Sequence, residues 1–356
     1  MEKKTYKVLG LMSGTSLDGL DIALCKFTFL DHRWQYSILE AETVSYSPEE
    51  KEILSSLMTT TAVELIHQDR RFGSYMGREV NKFLKKHNTT VDFVSSHGHT
   101  VFHQPEKGMT LQIGHGAALH GETSIPTVCD FRSLDVALSG QGAPLVPIGD
   151  ELLFPDHTYC LNLGGISNIS TKKTGKRTAY DICPVNLVLN LLANKKGLSY
   201  DAGGELARVG KYNQELFDEL NGLDFYQTKG PKSLGREWID TVVFPLIESY
   251  AHSTEDKLHT FCHHIGYQIS RSIADADSNH DLFITGGGAF NTFLIEAIQN
   301  YVQVKILIPE SKIVMFKEAL IFAFLGVLRV RGEVNCLSAV TGSKHDNVGG
   351  AIWGFI

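Results

Sequence analysis

The sequence predicts an α/β protein built as two duplicated halves, and three observations carry that expectation. At 356 residues and 39.4 kDa the chain exceeds what one hydrophobic core usually organises, so two domains are expected. Residues 8–24 and 159–169 each set apolar strands around a small, glycine-punctuated polar turn, and each is followed by further strands and then helical patterns. Between the halves, Leu138-Ser139-Gly140-Gln141-Gly142-Ala143-Pro144-Leu145-Val146-Pro147 is dense in Gly and Pro and reads as a crossover or hinge. That places the domains at residues 1–140 and 141–356.

In the first half, residues 34–46 alternate well enough for a third strand after the opening hairpin. Ser47-Pro48-Glu49-Glu50 then starts a helix: a capping hydroxyl, proline in the first turn, and acids against the positive helix end. A longer helical pattern covers residues 62–86, and residues 91–96 read as a buried strand ending in the polar turn His97-Gly98-His99-Thr100. In the second half, strands are expected at 159–169 and 177–181, helices at 184–193, 205–220 and 258–274, and a strand at 281–285 running into Gly286-Gly287-Gly288. The longest apolar run, 319–328, is too short for a bilayer and reads as a buried helix.

A net charge of -7 argues against nucleic acid or an acidic membrane as partner, since either rewards a basic surface. Six scattered cysteines without a C-x-x-C pair, behind a charged N-terminus with no secretory leader, point to reduced thiols and the cytoplasm.

Several features can carry chemistry. The loop Gly14-Thr15-Ser16-Leu17-Asp18-Gly19, running into Leu20 and Asp21, offers flexible backbone amides and hydroxyls that suit a polyphosphate, with Asp18 placed for Mg²⁺. An ordinary Asp-Gly hairpin would look the same. Gly286, Gly287 and Gly288, between a strand and a helix, mark close approach by a ligand or by another backbone. Asp181 at a strand end is placed either for general base work or for capping the helix opened by Pro184. Arg132 offers a guanidinium to an anionic group or to an ion pair, and Glu318 is a cleft carboxylate or an end-cap charge. His97, His99 and His103, with the cluster Cys262-His263-His264, read as structural or substrate-contacting groups in preference to a zinc site.

These motifs together resemble the anhydro-N-acetylmuramic acid kinases of the actin-like ATPase and sugar kinase superfamily. The resemblance runs in order through 10–19, 96–100, 110–114, 130–132, 140–147, 162–168, 286–291 and 318–320. It implies two actin-like (ribonuclease H-like) ATPase domains with an interdomain active-site cleft, ATP and Mg²⁺ as cofactors, a small amino sugar as substrate, and a homodimer. Asp181 would be the base that activates water, residues 14–21 would hold the ATP phosphates, and 286–288 would lie along the nucleotide. Thr100, Arg132 and Glu318 would contact the sugar. Departures from the family pattern are Ile182 and Cys183 after Asp181, where Thr-Gly is usual; His99 for Gln; His115 for an acid; and Gly203 for Asp.

Overall fold

The computed structural model describes residues 4–173, 175–228, 232–274, 276 and 279–355, and they fall into two compact units. Unit 1 comprises the chain up to Pro155 together with the stretch from Phe316 onward, and unit 2 runs from Asp156 to Met315. The division therefore differs from the 140/141 boundary expected from the Gly/Pro-rich segment. The buried carboxylate of Asp135 is the reason: it accepts from the Gly142 amide (2.8 Å), Cys336 Sγ (3.0 Å), Thr341 Oγ1 (2.8 Å) and Asn347 Nδ2 (2.9 Å). The expected hinge is thereby tied to the C-terminal stretch inside unit 1.

In unit 1 the opening hairpin forms as expected. Strand β1 (Thr5–Ser13) pairs antiparallel with β2 (Gly19–Leu30), and β2 with β3 (Arg33–Ser45). Strand β4 (Phe93–Gln104) lies parallel to β1, β5 (Met109–Ile113) pairs antiparallel with β4, and β6 (Thr127–Cys129) is parallel to β4. The strand at β4 runs eight residues past its expected end, so His97 to Thr100 sit in a strand; a bulge at Gly98, whose φ is +76°, accommodates them. Helix Ala62–Lys86 starts at Thr61, whose side chain accepts from the Glu64 amide at 3.2 Å, and buries Phe72, Met76, Val80 and Phe83 at helical spacing. Helix Ser311–Arg331 contributes the buried run 319–325 to unit 1, and its backbone comes so close to the sheet that a Cβ on Gly10 would stand 2.1 Å from the Ala319 carbonyl oxygen.

In unit 2, β7 (Tyr159–Leu163), β8 (Ile166–Lys173) and β9 (Lys176–Pro184) form an antiparallel meander. Strand β10 (Asp281–Thr285) lies parallel to β7, and β11 (Lys305–Leu307) parallel to β10. Helix Thr254–Ser272 and helix Thr292–Gln299 bury their apolar faces in the same core as these strands. The helix expected over 205–220 is broken into Glu205–Val209 and Gln214–Gly222, because Gly210 meets the Glu255 carbonyl where a Cβ would stand 2.0 Å away. A final strand of unit 1, β12 (Ala351–Trp353), pairs antiparallel with β6.

The two sheets read β12-β6-β4-β1-β2-β3 and β11-β10-β7-β8-β9. Apart from β12 and the side pairing of β5, each is a three-stranded meander whose first strand carries two further parallel strands. The duplication read from the glycine turns is thus a repeat of topology, the α/β actin-like fold expected.

Candidate active site

In a sheet of this kind ligands collect beyond the carboxyl ends of the parallel strands. In unit 1 that edge carries the loop after β1, the far half of β4, and the residues after β6. Every candidate of the first half on a strand or loop, from Gly14 to Asp21 and Thr100 and Arg132, lies there. In unit 2 the same edge carries the turn after β7, the end of β9 with Asp181, and the glycines after β10.

The loop after β1 turns through a bond from the Leu17 amide to the Gly14 carbonyl (3.3 Å), with Leu17 at a φ of 58°. Its glycines divide in purpose. A Cβ on Gly19 would stand 2.5 Å from the Val44 carbonyl, so Gly19 serves the approach of β3, whereas Gly14 has only Ser16 nearby. Beneath the loop, Tyr46 donates to Ser13 Oγ at 2.7 Å, and Ser13 Oγ lies 3.0 Å from His99 Nδ1. Burial pushes His99 down to about 4, so its imidazole is neutral near pH 7 and free to accept. The residue that departs from the family pattern therefore braces the start of the candidate phosphate loop.

Asp18 is exposed, while Asp21 is half-buried on β2 and accepts from Thr43 Oγ1 at 2.6 Å. Desolvation raises Asp21 to about 6; Thr43 opposes the rise, and the charges of Glu318 and Asp18 add to it. A carboxylate raised by desolvation beside further acidic groups is a donor set that a divalent cation relieves. Among the described residues no group of three or more such side chains could hold a metal alone. The fit is therefore to Mg²⁺ carried by one or two carboxylates and phosphate oxygens.

Arg132 is gripped from two sides. Its Nε and Nη2 donate to His97 Nε2 at 3.0 and 2.9 Å, and its Nη1 to the Gly142 carbonyl at 2.7 Å. Desolvation lowers its affinity for a proton, to about 10, against the opposing charge of Glu318. Glu318 keeps part of its surface exposed, while the protein packed around its carboxyl desolvates and raises it, with Arg132 and Lys317 opposing. Thr100 is half-buried on β4 opposite Gln112.

Asp181 is not a helix cap. Strand β9 continues through Pro184, and the helix Asn186–Asn194 starts only after Val185. The carboxylate instead accepts the Leu234 amide (2.9 Å) and Ser233 Oγ (3.1 Å), while its own amide donates to the Lys232 carbonyl (2.9 Å). Desolvation raises its pKa against these two donors. Of the three glycines, Gly286 has φ +85° and a Cβ there would stand 2.5 Å from Asn162 Oδ1; one on Gly288 would stand 2.7 Å from the Leu163 Cβ. Both serve close packing on β7. Gly287 alone is exposed, and a Cβ there would meet only Asn186 Nδ2, at 3.8 Å.

The other histidines singled out from the sequence have partners within the protein. His264 is wedged between Asn221 Oδ1 (2.8 Å) and Tyr226 Oη (3.1 Å), and His103 contacts Thr110 Oγ1 at 3.1 Å. His115 accepts the Ala117 amide (3.2 Å) at the head of helix Gly116–Thr123. Asp201, beside the departing Gly203, accepts the Leu206 and Ala207 amides, each at 2.9 Å. None of the six cysteines forms a disulfide among the described residues.

The family model for anhydro-N-acetylmuramic acid kinase matches residues 6–354. The chain belongs to the anhydro-N-acetylmuramic acid kinase family. A relative so named from Caldanaerobacter subterraneus subsp. tengcongensis is 33% identical, covering 98% of this chain and 97% of its own. The relative of the same name from Pseudomonas syringae pv. tomato is 34% identical over 97% and 98%, and that from Pasteurella multocida 33% over 99% and 98%. Sequence reasoning named His97 and Ser13 but not their bonds to Arg132 and His99, and it missed Tyr46 under the loop and Ser233 and Leu234 on Asp181. Each lies tens of residues from its partner, and no motif spacing announces it.

Proposed function

We infer that the chain is an ATP-dependent kinase that opens the 1,6-anhydro ring of 1,6-anhydro-N-acetylmuramic acid and phosphorylates O6, giving N-acetylmuramic acid 6-phosphate in cell-wall recycling. The observation that carries this reading is the family match over nearly the whole chain, joined to a carboxylate, Asp181, that has two donors among the described residues and a raised pKa at the carboxyl edge of its sheet.

In this reading Asp181 takes a proton from water as the water oxygen bonds to C1. The C1–O6 bond breaks, and O6 attacks the γ-phosphorus, releasing ADP. A raised pKa suits a group that must gain a proton in one step and lose it later. Gly14 to Asp21 line the phosphates with amides and hydroxyls, and Gly287 leaves room along the nucleotide. Thr100, Arg132 and Glu318 bind the sugar, with Arg132 on its anionic substituent. Asp18 and Asp21 would hold Mg²⁺, which when bound supplies neutralisation of phosphate charge. Positioning and charge neutralisation are what phosphoryl transfer chiefly requires. The homodimer and the cytoplasmic location belong to the same reading; no helix among the described residues is long and apolar enough to cross a membrane.

The test is mass spectrometry of products formed from MgATP, 1,6-anhydro-N-acetylmuramic acid and ¹⁸O-labelled water. A 6-phosphosugar carrying the label at C1 is expected. Release of inorganic phosphate without a phosphosugar would overturn the substrate and favour an ATPase switch on the same fold.

A further inference from the structure

The hydrogen-bond roles around His97 are fixed by chemistry. Arg132 Nε and Nη2 can only donate, so His97 Nε2, 3.0 and 2.9 Å away, must accept. The Gly98 carbonyl can only accept, so His97 Nδ1, 2.9 Å away, must carry the proton. His97 is thus a neutral imidazole in one tautomer, buried on β4 and packed on Phe322 with ring centroids 4.5 Å apart. The Arg132 guanidinium lies over the same ring, 5.9 Å from its centroid.

A buried arginine fork normally grips a carboxylate, which fixes its direction and also cancels its charge. Here the grip is made by an uncharged base. With the Gly142 carbonyl taking a third N–H at 2.7 Å, three of the five guanidinium N–H groups hold the group still, and the other two have no partner among the described residues. No carboxylate bonds the guanidinium within the grip; Glu318 acts on its charge without a hydrogen bond to it among the described residues.

We propose that His97 is a positioning residue for substrate binding: as a neutral acceptor it locks the direction of Arg132 without adding a bonded counter-charge, leaving its free N–H groups for an anionic group on the sugar. This rests on the reading of Arg132 as a sugar contact. The feature that matters is the acceptor at the Nε2 position. Gln can place its Oε1 near that point, Leu offers no acceptor, and Glu offers one that carries a neutralising charge.

The experiment compares Arg132→Ala, His97→Leu, His97→Gln and His97→Glu by steady-state kinetics in both substrates, with thermal midpoints of each. Arg132→Ala is expected to raise the sugar KM at least tenfold with the ATP KM nearly unchanged. His97→Leu should raise the sugar KM by about tenfold, the weight of one or two hydrogen bonds, again without moving the ATP KM. His97→Gln should recover most of that loss. His97→Glu should stay impaired in sugar KM even where its thermal midpoint matches that of the Gln variant. A sugar KM unchanged in Arg132→Ala overturns the placement of Arg132, and this role with it. An effect in Arg132→Ala but not in His97→Leu, or equal rises in both KM values for Leu and Gln, overturns the role of His97 alone. Full recovery by Glu overturns the requirement for an uncharged acceptor.

Discussion

The Leu234 amide donates to the Asp181 carboxylate at 2.9 Å, and the neighbouring Ser233 hydroxyl adds a second bond at 3.1 Å. Desolvation raises Asp181, while both donors favour its charged form. Removing one donor should therefore raise the pKa further. In Ser233→Ala, the acid limb of the pH profile of kcat/KM should move to higher pH by up to about one unit, the equivalent of a single hydrogen bond. Activity should disappear as pH falls through this value, because the base is then protonated. An unmoved acid limb would detach that limb from Asp181.

Asp181→Asn keeps the shape and both donors' neighbour but removes the base. It should fold with an unchanged thermal midpoint within a few degrees, bind ATP as the parent does, and lose turnover by about two to four orders of magnitude. Near-normal turnover would remove Asp181 from the chemistry.

The glycine triplet separates packing from ligand contact. Gly286 combines φ +85° with a Cβ position 2.5 Å from Asn162 Oδ1, whereas a Cβ on Gly287 meets nothing closer than Asn186 Nδ2 at 3.8 Å. Gly286→Ala should destabilise by about 2 kcal/mol or more, read as a loss in the denaturation midpoint. Gly287→Ala should change stability by less than about 1 kcal/mol yet raise the KM for ATP. A stable Gly287→Ala with an unchanged ATP KM would remove this turn from the nucleotide site.

The pattern of these outcomes reflects what a sequence can carry. The opening hairpin and the glycine turns are local, and the capping of the first helix at Ser47 is written within four residues, so they were readable. The division into units was not, because Asp135 draws in Thr341 and Asn347 from some two hundred residues away. The extra length of β4 was hidden for a different reason: its last eight residues carry three histidines and one glycine and lack the apolar alternation that marks a strand. Asp181 was placed at the right edge of its sheet, but the choice between base and cap needed the true start of the following helix.

Asp135 also allows a test of unit 1. Burial acts to raise its pKa, but the donors Cys336, the Gly142 amide, Thr341 and Ser343 outweigh it and hold the carboxyl below its ordinary value. Asp135→Ala leaves those donors buried without an acceptor and should cost about 3 kcal/mol or more, seen in chemical denaturation. A loss below about 1 kcal/mol would mean that the segment 138–147 is held by other contacts.

His264 gives a pH dependence whose sign can be worked out. Its Nδ1 faces the Asn221 carbonyl oxygen and its Nε2 the Tyr226 hydroxyl, and complete burial pushes its pKa down to about 3 from an ordinary 6.5. Between those values the unfolded chain binds a proton that the folded chain does not, so stability falls as pH drops below about 6.5, by about 1.4 kcal/mol per unit for this group. His97 and His99 act with the same sign, and Asp21, raised to about 6, acts against them. All three cancel when His264→Gln is compared with the parent at each pH. The variant should be less stable at pH 7.5, having lost two well-placed bonds, and its deficit should shrink as the pH is lowered from 6.5 to 5. Urea midpoints at pH 7.5, 6.5 and 5 measure this. A deficit independent of pH would mean that His264 keeps its ordinary pKa in the folded protein, and that the Asn221 and Tyr226 bonds do not hold it neutral.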